Sequence, residues 1–360
     1  MRACCGWTPR SLRPRVEARD EPMEPPRLHI PAMVLETLRL LGVAERGGLY
    51  VDCTLGTGSH AQAILDAHPD ARVIGIDLDA DSQAFACARL ANYGDRLIPV
   101  RGNYRDVNRL CIENLEVDQV DGLIIDAGVS LWQLTHPERG FSFRRDAEFN
   151  VAYDRSQHRT GYDLVNLLPE HELASLIRKY SNERWADRIA HRIVEARRRQ
   201  PIRRTAQLAE IVTAAIPARF RHATIDPATR TFAALRQSTN DDWGSLEAAI
   251  PNAATIMAPN ATLVVLTYTS AEDRLVKSQF KRLSAPRQRK QRYPQSQQGS
   301  PSPPTSPFRD LPNAPPSAAQ SPSDAVLFRI LTPKPLLPQS DEIRSNPRCR
   351  GCRLRAAARV

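Results

Sequence analysis

The chain predicts an α/β fold built on a mostly parallel, doubly wound sheet that is interrupted by a helical insertion. Three observations carry this. Apolar runs alternate with helical periodicity over the first third of the chain. Two early runs end in acids, Asp52 and Asp77, on either side of a glycine-rich turn. From about 133 to 225 the strand signal disappears while amphipathic helical periodicity continues.

The elements follow in order. His29-Ile-Pro31 opens the ordered part, and a helix is expected over about 32–42. Leu49–Cys53 reads as the first strand, and a helix over 59–67 follows the glycine turn. Arg72–Ile76 is the second strand, 80–92 a helix, Leu97–Arg101 the third strand and Val120–Ile125 the fourth, which again ends in an acid, Asp126. Glu170–Tyr180, Glu183–Arg199 and Thr205–Ala215 read as amphipathic helices, with Thr205 a plausible N-cap. A helix near 231–257 precedes a strand at Ala261–Thr269, and 325–331 reads as a last strand.

The domain division expected from these runs has five parts. They are an extension over 1–26; an α/β domain from 27–132, 226–283 and 325–335; a helical substrate-recognition domain over 133–225; a Pro/Ser/Gln/Arg-rich insert over 284–324; and a basic tail over 336–360. The insert holds few large apolar residues, so it cannot bury enough surface to offset its ordering entropy and is expected to be disordered. Its cluster Arg287-Gln-Arg-Lys-Gln-Arg292 reads as solvated, with nucleic-acid contact the alternative.

Composition bounds the function class. The chain has 360 residues, 41% hydrophobic, and a formal charge of +10. That balance suits a polyanionic partner and equally a merely soluble surface. Seven scattered cysteines, an odd number, point to a reducing compartment. Cys349-Arg-Gly-Cys352 is one pair only and cannot complete a four-ligand zinc site, so no metal is expected. No apolar stretch is long enough to span a membrane. The Arg-rich first 22 residues lack an apolar core, against a secretory signal; they read as sequence upstream of a start at Met23 rather than as an organellar leader, and a cytoplasmic protein is expected.

The turn Gly56-x-Gly58-x-x-Ala61 is close to a dinucleotide fingerprint and does not choose its ligand alone. Glycines let backbone approach the ligand, and Asp77 stands where a ribose diol would donate to it. No Walker lysine follows, which disfavours a triphosphate. S-adenosylmethionine, a ribonucleoside without phosphate, fits as well as a dinucleotide.

Further motifs narrow the choice. Asp126-Ala-Gly-Val-Ser130 is followed by Gln133 and by Arg139-Gly-Phe-Ser-Phe143; then come Asn182-Glu-Arg184, Pro201-Ile202, Pro227-Ala-Thr-Arg230-Thr-Phe, Ala234-Leu-Arg236, Glu272-Asp-Arg274 and Asn346-Pro-Arg. In this order the set resembles the MraW/RsmH family of ribosomal-RNA cytosine-N4 methyltransferases, from His29 to about Ala356. The resemblance implies a class I methyltransferase (Rossmann-like) fold, S-adenosylmethionine as methyl donor, and a cytosine in the decoding region of small-subunit ribosomal RNA as target. It implies a donor site of Gly58, Ser59, His60, Asp77, Tyr104, Asp126 and Gln133. Tyr104 offers a face for adenine, and Gln133 an amide for the donor. His60 reads as a structural hydrogen-bonding residue rather than a proton-transfer group.

Asp126 is the candidate catalytic residue. A cytosine amine is a poor nucleophile because its lone pair is delocalised, and a carboxylate accepting from it would localise and orient that pair. Arg139, Arg144, Arg184, Arg230 and Arg236 are candidates for RNA phosphates, with buried ion pairing the alternative for Arg230 and Arg236. Trp132, Phe141 and Phe143 are candidates to stack on an extruded base or to sit in the core. Oligomeric state stays open, a dimer included.

The chain departs from the family pattern at Ser59, at Ala127, over Phe149-Asn-Val-Ala-Tyr-Asp154, at Asp226, at Asn260-Ala261 and over Thr267-Tyr-Thr269. Most of these fall on the acceptor side. The competing reading is therefore a non-catalytic RNA-binding or ribosome-assembly factor that keeps the fold; a methyltransferase of DNA or of a small molecule is a third.

Overall fold

A computed structural model describes residues 31–221, 226–284 and 327–360. The extension expected over 1–26, nearly all of the Pro/Ser-rich insert and its Arg287–Arg292 cluster lie outside these residues.

The chain opens with helices α1 (Val34–Leu41) and α2 (Val43–Arg46) and then alternates: β1 (Gly48–Asp52), α3 (Ser59–Ala67), β2 (Ala71–Asp77), α4 (Ala80–Arg89), β3 (Leu97–Arg101), α5 (Val107–Leu115) and β4 (Val120–Asp126). Helices α6 (Leu131–Thr135), α7 (Gly161–Leu167), α8 (Glu170–Ser181), α9 (Ala186–Arg199), α10 (Thr205–Ala215), α11 (Ala228–Asn240) and α12 (Asp242–Ile256) follow. The chain then returns to the sheet with β5 (Met257–Thr267), α13 (Ser270–Ser284), β6 (Phe328–Ile330), α14 (Ser340–Ser345) and β7 (Arg353–Arg359).

The seven strands lie in the order β3-β2-β1-β4-β5-β7-β6. The first five pair in parallel, and β7 runs antiparallel to both β5 and β6. This is the mixed Rossmann-like sheet of class I methyltransferases. The order reverses between β1 and β4, so their carboxyl ends open a crevice where ligands bind. Leu263 to Leu266 of β5 are all fully buried, the unbroken apolar run of a strand covered on both faces.

Each sheet face has its own core. Val51, Ile74 and Leu123 pack with α5, α12 and α13, while Tyr50, Val73 and Ile124 pack with α1, α3 and α4. A third cluster joins α7 to α11 around Phe149, Ile189 and Phe232. It takes in Phe232, Ala234 and Leu235 of α11, so the helical layer continues past the boundary expected at 226.

Two expectations need correcting. Residues 336–360 are not a tail: they form α14 and β7, and β7 lies between β5 and β6. Arg353 and Arg355 made the segment look soluble, but its burial pattern is that of a core strand, and Arg355 is neutralised by Asp273 at 2.6 Å. The single helix expected over 231–257 is two, divided at Asp241, whose left-handed backbone (φ 49°) ends α11.

Candidate functional site

The crevice begins at the β1–α3 turn. Gly56 (φ 51°) and Gly58 (φ 77°) hold left-handed backbone, which costs an L-residue roughly 1–2 kcal/mol. A Cβ at Gly58 would also stand 2.7 Å from Leu90 Cδ1. The turn is tied to the neighbouring strands by Cys53 N to Ile124 O and Leu55 N to Ile76 O, both 2.9 Å.

Asp77, at the end of β2, accepts from Gly56 N at 2.6 Å on one oxygen and from Asp79 N at 2.8 Å on the other. A carboxylate has about four acceptor positions, so each oxygen keeps one for an incoming hydroxyl. Burial pushes its carboxyl up to about 7, against the lowering pull of these two N–H donors. A glycine cradle beside a carboxylate with spare acceptor capacity fits a ribose diol and thus an S-adenosylmethionine-type donor. Tyr104 follows β3, half-buried against the β-sheet core, with its hydroxyl pushed well up by burial and by Asp242, Tyr153 and Glu272 nearby.

Asp126 ends β4 opposite the cradle. Its N–H donates to Thr54 Oγ1 at 2.8 Å, and its Oδ1 accepts from the Tyr268 hydroxyl at 2.8 Å. Its Oδ2 lies 3.6 Å from His60 Nδ1. His60 Nε2 is 3.1 Å from the Ala32 carbonyl, which only accepts, so that nitrogen carries a hydrogen. Asp52 nearby is buried and pushed up to about 6 by that burial, with His60 opposing the shift. Cys352 and its neighbour Tyr268 share the pocket, and burial raises both.

Gln133 is nearly fully committed. Its Oε1 accepts from Ser130 N at 3.0 Å, closing a capping box on α6, and its Nε2 donates to Asp79 Oδ2 at 2.8 Å. One amide hydrogen remains for a ligand. Ser59 opens α3, its hydroxyl 3.3 Å from Thr57 Oγ1.

The arginines divide. Arg139 is not available to phosphate: it is 2% exposed, donates to Asp79 Oδ1 (2.7 Å) and Asp81 (2.9 Å), and to the carbonyls of Ala152 (3.0 Å) and Tyr153 (2.9 Å). Arg236 is half-buried and pairs with Asp242 at 3.3 Å, so of the two roles expected for it the structure has the ion pair. Burial pushes Asp242 up to about 7 against Arg236. Arg230 is exposed and reaches the buried Glu183 at 3.5 Å; Arg144 is exposed. Of the stacking candidates, Trp132 lies on His136 (3.6 Å between centroids), Phe143 against Phe232, and Phe141 parallel to Tyr153 at 5.7 Å.

Three residues in the site were not foreseen. Asp79 is the hub: it caps α4 through Asp81 N and Ser82 N and receives both Gln133 and Arg139. An acid directly before a helix start is the signal that marks it. Tyr268 and Asp242 have no such signal, because their partners Asp126 and Arg236 meet them only through strand pairing and helix packing. Several family departures have local reasons. Asn260 holds left-handed backbone (φ 65°), Asp226 accepts from Ala228 N at the start of α11, and Asn150 accepts from Ala152 N beside the left-handed Val151. Among the described residues no group of three or more His, Cys, Asp or Glu side chains is placed to hold a metal.

Residues 27–303 match the model of the MraW methylase family. The chain is 40% identical over 333 residues to the ribosomal RNA small subunit methyltransferase H of Symbiobacterium thermophilum, covering 92% of this chain and 96% of that one. It is 41% identical to the protein of the same name from Geobacter sulfurreducens, covering 92% and 99%. With most of its length matched on both counts, the chain belongs to the MraW methylase family.

Proposed function

We propose that this chain is an S-adenosylmethionine-dependent methyltransferase that modifies the N4 amine of a cytosine in small-subunit ribosomal RNA. Family membership and the names of its relatives support the reaction and the RNA. The observation that carries the chemistry is Asp126 at the end of β4, whose carboxylate is held by the Tyr268 hydroxyl and whose backbone N–H is held by Thr54, opposite the Asp77 cradle.

The donor supplies an electrophilic methyl on a sulfonium. The chain's part is to hold both reactants. Asp77 accepts the ribose hydroxyls, Gly56 and Gly58 admit the donor's methionine end, and Tyr104 packs beside its base. Asp126 accepts an N–H of the target amine, turns the nitrogen lone pair toward the methyl, and takes up the proton that the amine loses on methylation. Such positioning contributes several kcal/mol without proton transfer before the transition state. In this reading the helical layer after β4 faces the ribosomal RNA, and Arg144 and Arg230 are its exposed phosphate ligands among those foreseen. The place of action is the cytoplasm; no helix among the described residues is long and apolar enough to cross a membrane.

The test is nucleoside mass spectrometry of small-subunit ribosomal RNA from cells with and without this protein, restored by the wild type or by Asp126→Asn. One N4-methylcytidine lost on deletion, restored by the wild type and not by the variant, is the expected result. An unchanged modification profile overturns the reading, and tight subunit binding without any methyl transfer converts it to an assembly factor.

A further inference from the structure

Beside the first turn of α11, three arginines lie over two aromatic rings. The Arg184 guanidinium lies 4.5 Å from the Trp185 ring centroid and 4.6 Å from that of Phe220, so it touches both rings. Arg188 stands 5.7 Å from Trp185, and Arg219 4.9 Å from Phe220. The rings themselves are 5.6 Å apart and tilted by 44°. All three arginines are exposed, and Phe220 is 37% exposed, an unusual position for a phenylalanine.

Two features separate this cluster from an ordinary solvated face. Among the described residues no carboxylate pairs with Arg184, Arg188 or Arg219. The acids close by are engaged: Glu183 with Arg230, Asp187 with Arg178. The positive charge is therefore not neutralised. A guanidinium held over an aromatic ring is restricted before any ligand arrives, and a pre-organised fork loses less entropy when it meets a phosphate. Arg198 and Arg199, exposed in the last turn of α9, add the same sign at its far end, while Arg192 pairs with Glu195 at 3.0 Å.

The cluster is linked mechanically to the crevice. Glu183 beside it holds Arg230 in the first turn of α11, and Asn240 at the other end of α11 donates to Val151 O and accepts from Tyr153 N. Ten residues of helix place the two ends about 15 Å apart. A ligand on the cluster is thereby held at a fixed offset from the acceptor side.

We propose that Arg184, Arg188 and Arg219, stacked on Trp185 and Phe220, form a docking platform for ribosomal RNA backbone phosphates at a distance from the methylated base. This rests on the reading of the chain as a ribosomal RNA methyltransferase. The platform positions the RNA and carries no sequence information of its own.

The test measures equilibrium binding of the full chain to small ribosomal subunits and, in parallel, to protein-free small-subunit RNA across a salt series. The variants are Arg184→Gln/Arg188→Gln/Arg219→Gln, Phe220→Leu and, as a control for losing an exposed arginine elsewhere, Arg39→Gln on α1. Each phosphate contact contributes roughly 0.7–0.9 to the slope of log affinity against log salt, so the triple variant loses about 2–3 from that slope and binds both RNAs at least tenfold more weakly at low salt. Phe220→Leu keeps an apolar side chain but removes the ring face, and falls between. Arg39→Gln matches the wild type, and all variants keep wild-type donor affinity. A triple variant that retains donor binding and shows wild-type affinity and slope overturns the platform. Weakened binding to subunits but not to free RNA also overturns it, in favour of a ribosomal-protein contact. If the triple variant fails to bind donor, Arg188→Gln/Arg219→Gln decides by the same criteria. Wild-type binding without methyl transfer would sink the proposed reaction and leave this comparison standing.

Discussion

Replacing Arg139 by glutamine removes the centre of a buried polar network, and its cost follows from the contacts. Arg139 and Asp79 are 2% and 1% exposed and bonded at 2.7 Å, and Asp79 would be left without its cation. Breaking one side of such a buried pair costs about 3–5 kcal/mol. The carbonyls of Ala152 and Tyr153 also lose their donor, and a buried acceptor left unmatched costs about 1–3 kcal/mol. Asp81 adds little, because it is 43% exposed and keeps Arg155 at 3.1 Å. These contributions overlap, so the expected loss is about 3–5 kcal/mol, a large share of the 5–15 kcal/mol typical of a folded domain. Urea unfolding of Arg139→Gln against wild type reads it as a lower midpoint at unchanged slope. Arg139→Lys keeps the charge but not the fork and falls between. Stability within about 1 kcal/mol of wild type, together with a shallower salt dependence of RNA binding, would refute the reasoning and return Arg139 to the phosphate surface.

Two further predictions concern the crevice. Asp77 has a raised carboxyl, near 7 in the donor-free fold, well above its value in an unfolded chain, so its contribution to stability is lost as pH rises from about 4 to 7. Ribose hydroxyls donate to the ionised form, so donor affinity rises about tenfold from about pH 6 to 8 as that form becomes dominant. Calorimetry across this range tests it, and a flat profile, or one that persists in Asp77→Asn, refutes it. Tyr268→Phe removes the hydroxyl that fixes Asp126 Oδ1, a bond to a charged group worth roughly 1.5–3 kcal/mol, and should lower turnover at least about tenfold with donor affinity within about twofold. Turnover equal to wild type in a steady-state assay would remove Tyr268 from any positioning role.

How far the site was legible depended on the range of the interaction. The acids ending β1, β2 and β4 and the left-handed glycines could be read because each is set by a few neighbouring residues: an apolar run, then a turn. Asp79 sat in plain view as a helix cap, yet its grip on Gln133 and Arg139 joins residues more than fifty positions apart. Charge misled twice for one reason. Arg139 and Arg355 are written as cations, and only the fold reveals the carboxylates, Asp79 and Asp273, that allow them to be buried. The end of the helical layer was misjudged because α11 belongs by sequence to the returning α/β segment and by packing to the helical core. The unbroken apolar run of β5 was plain, whereas the alanine-rich β7 between flanking arginines looked like a tail.

That late strand has a consequence for how the molecule is made. During synthesis the parallel strands emerge first, and β5 arrives with one edge unpaired. Its partner β7 is the last strand to appear, since Thr262 must wait for Ala358 and Thr267 for Arg353. Domains fold from the amino end at about 5–20 residues per second, so for several seconds a strand edge rich in apolar residues, with its backbone N–H and C=O groups unpaired, is open to other nascent chains. Premature termination between β5 and β7 would leave that edge permanently bare. Such fragments should be cleared or aggregate rather than persist as partly active enzyme, even though Asp77, Asp126 and the glycine turn would all have been translated.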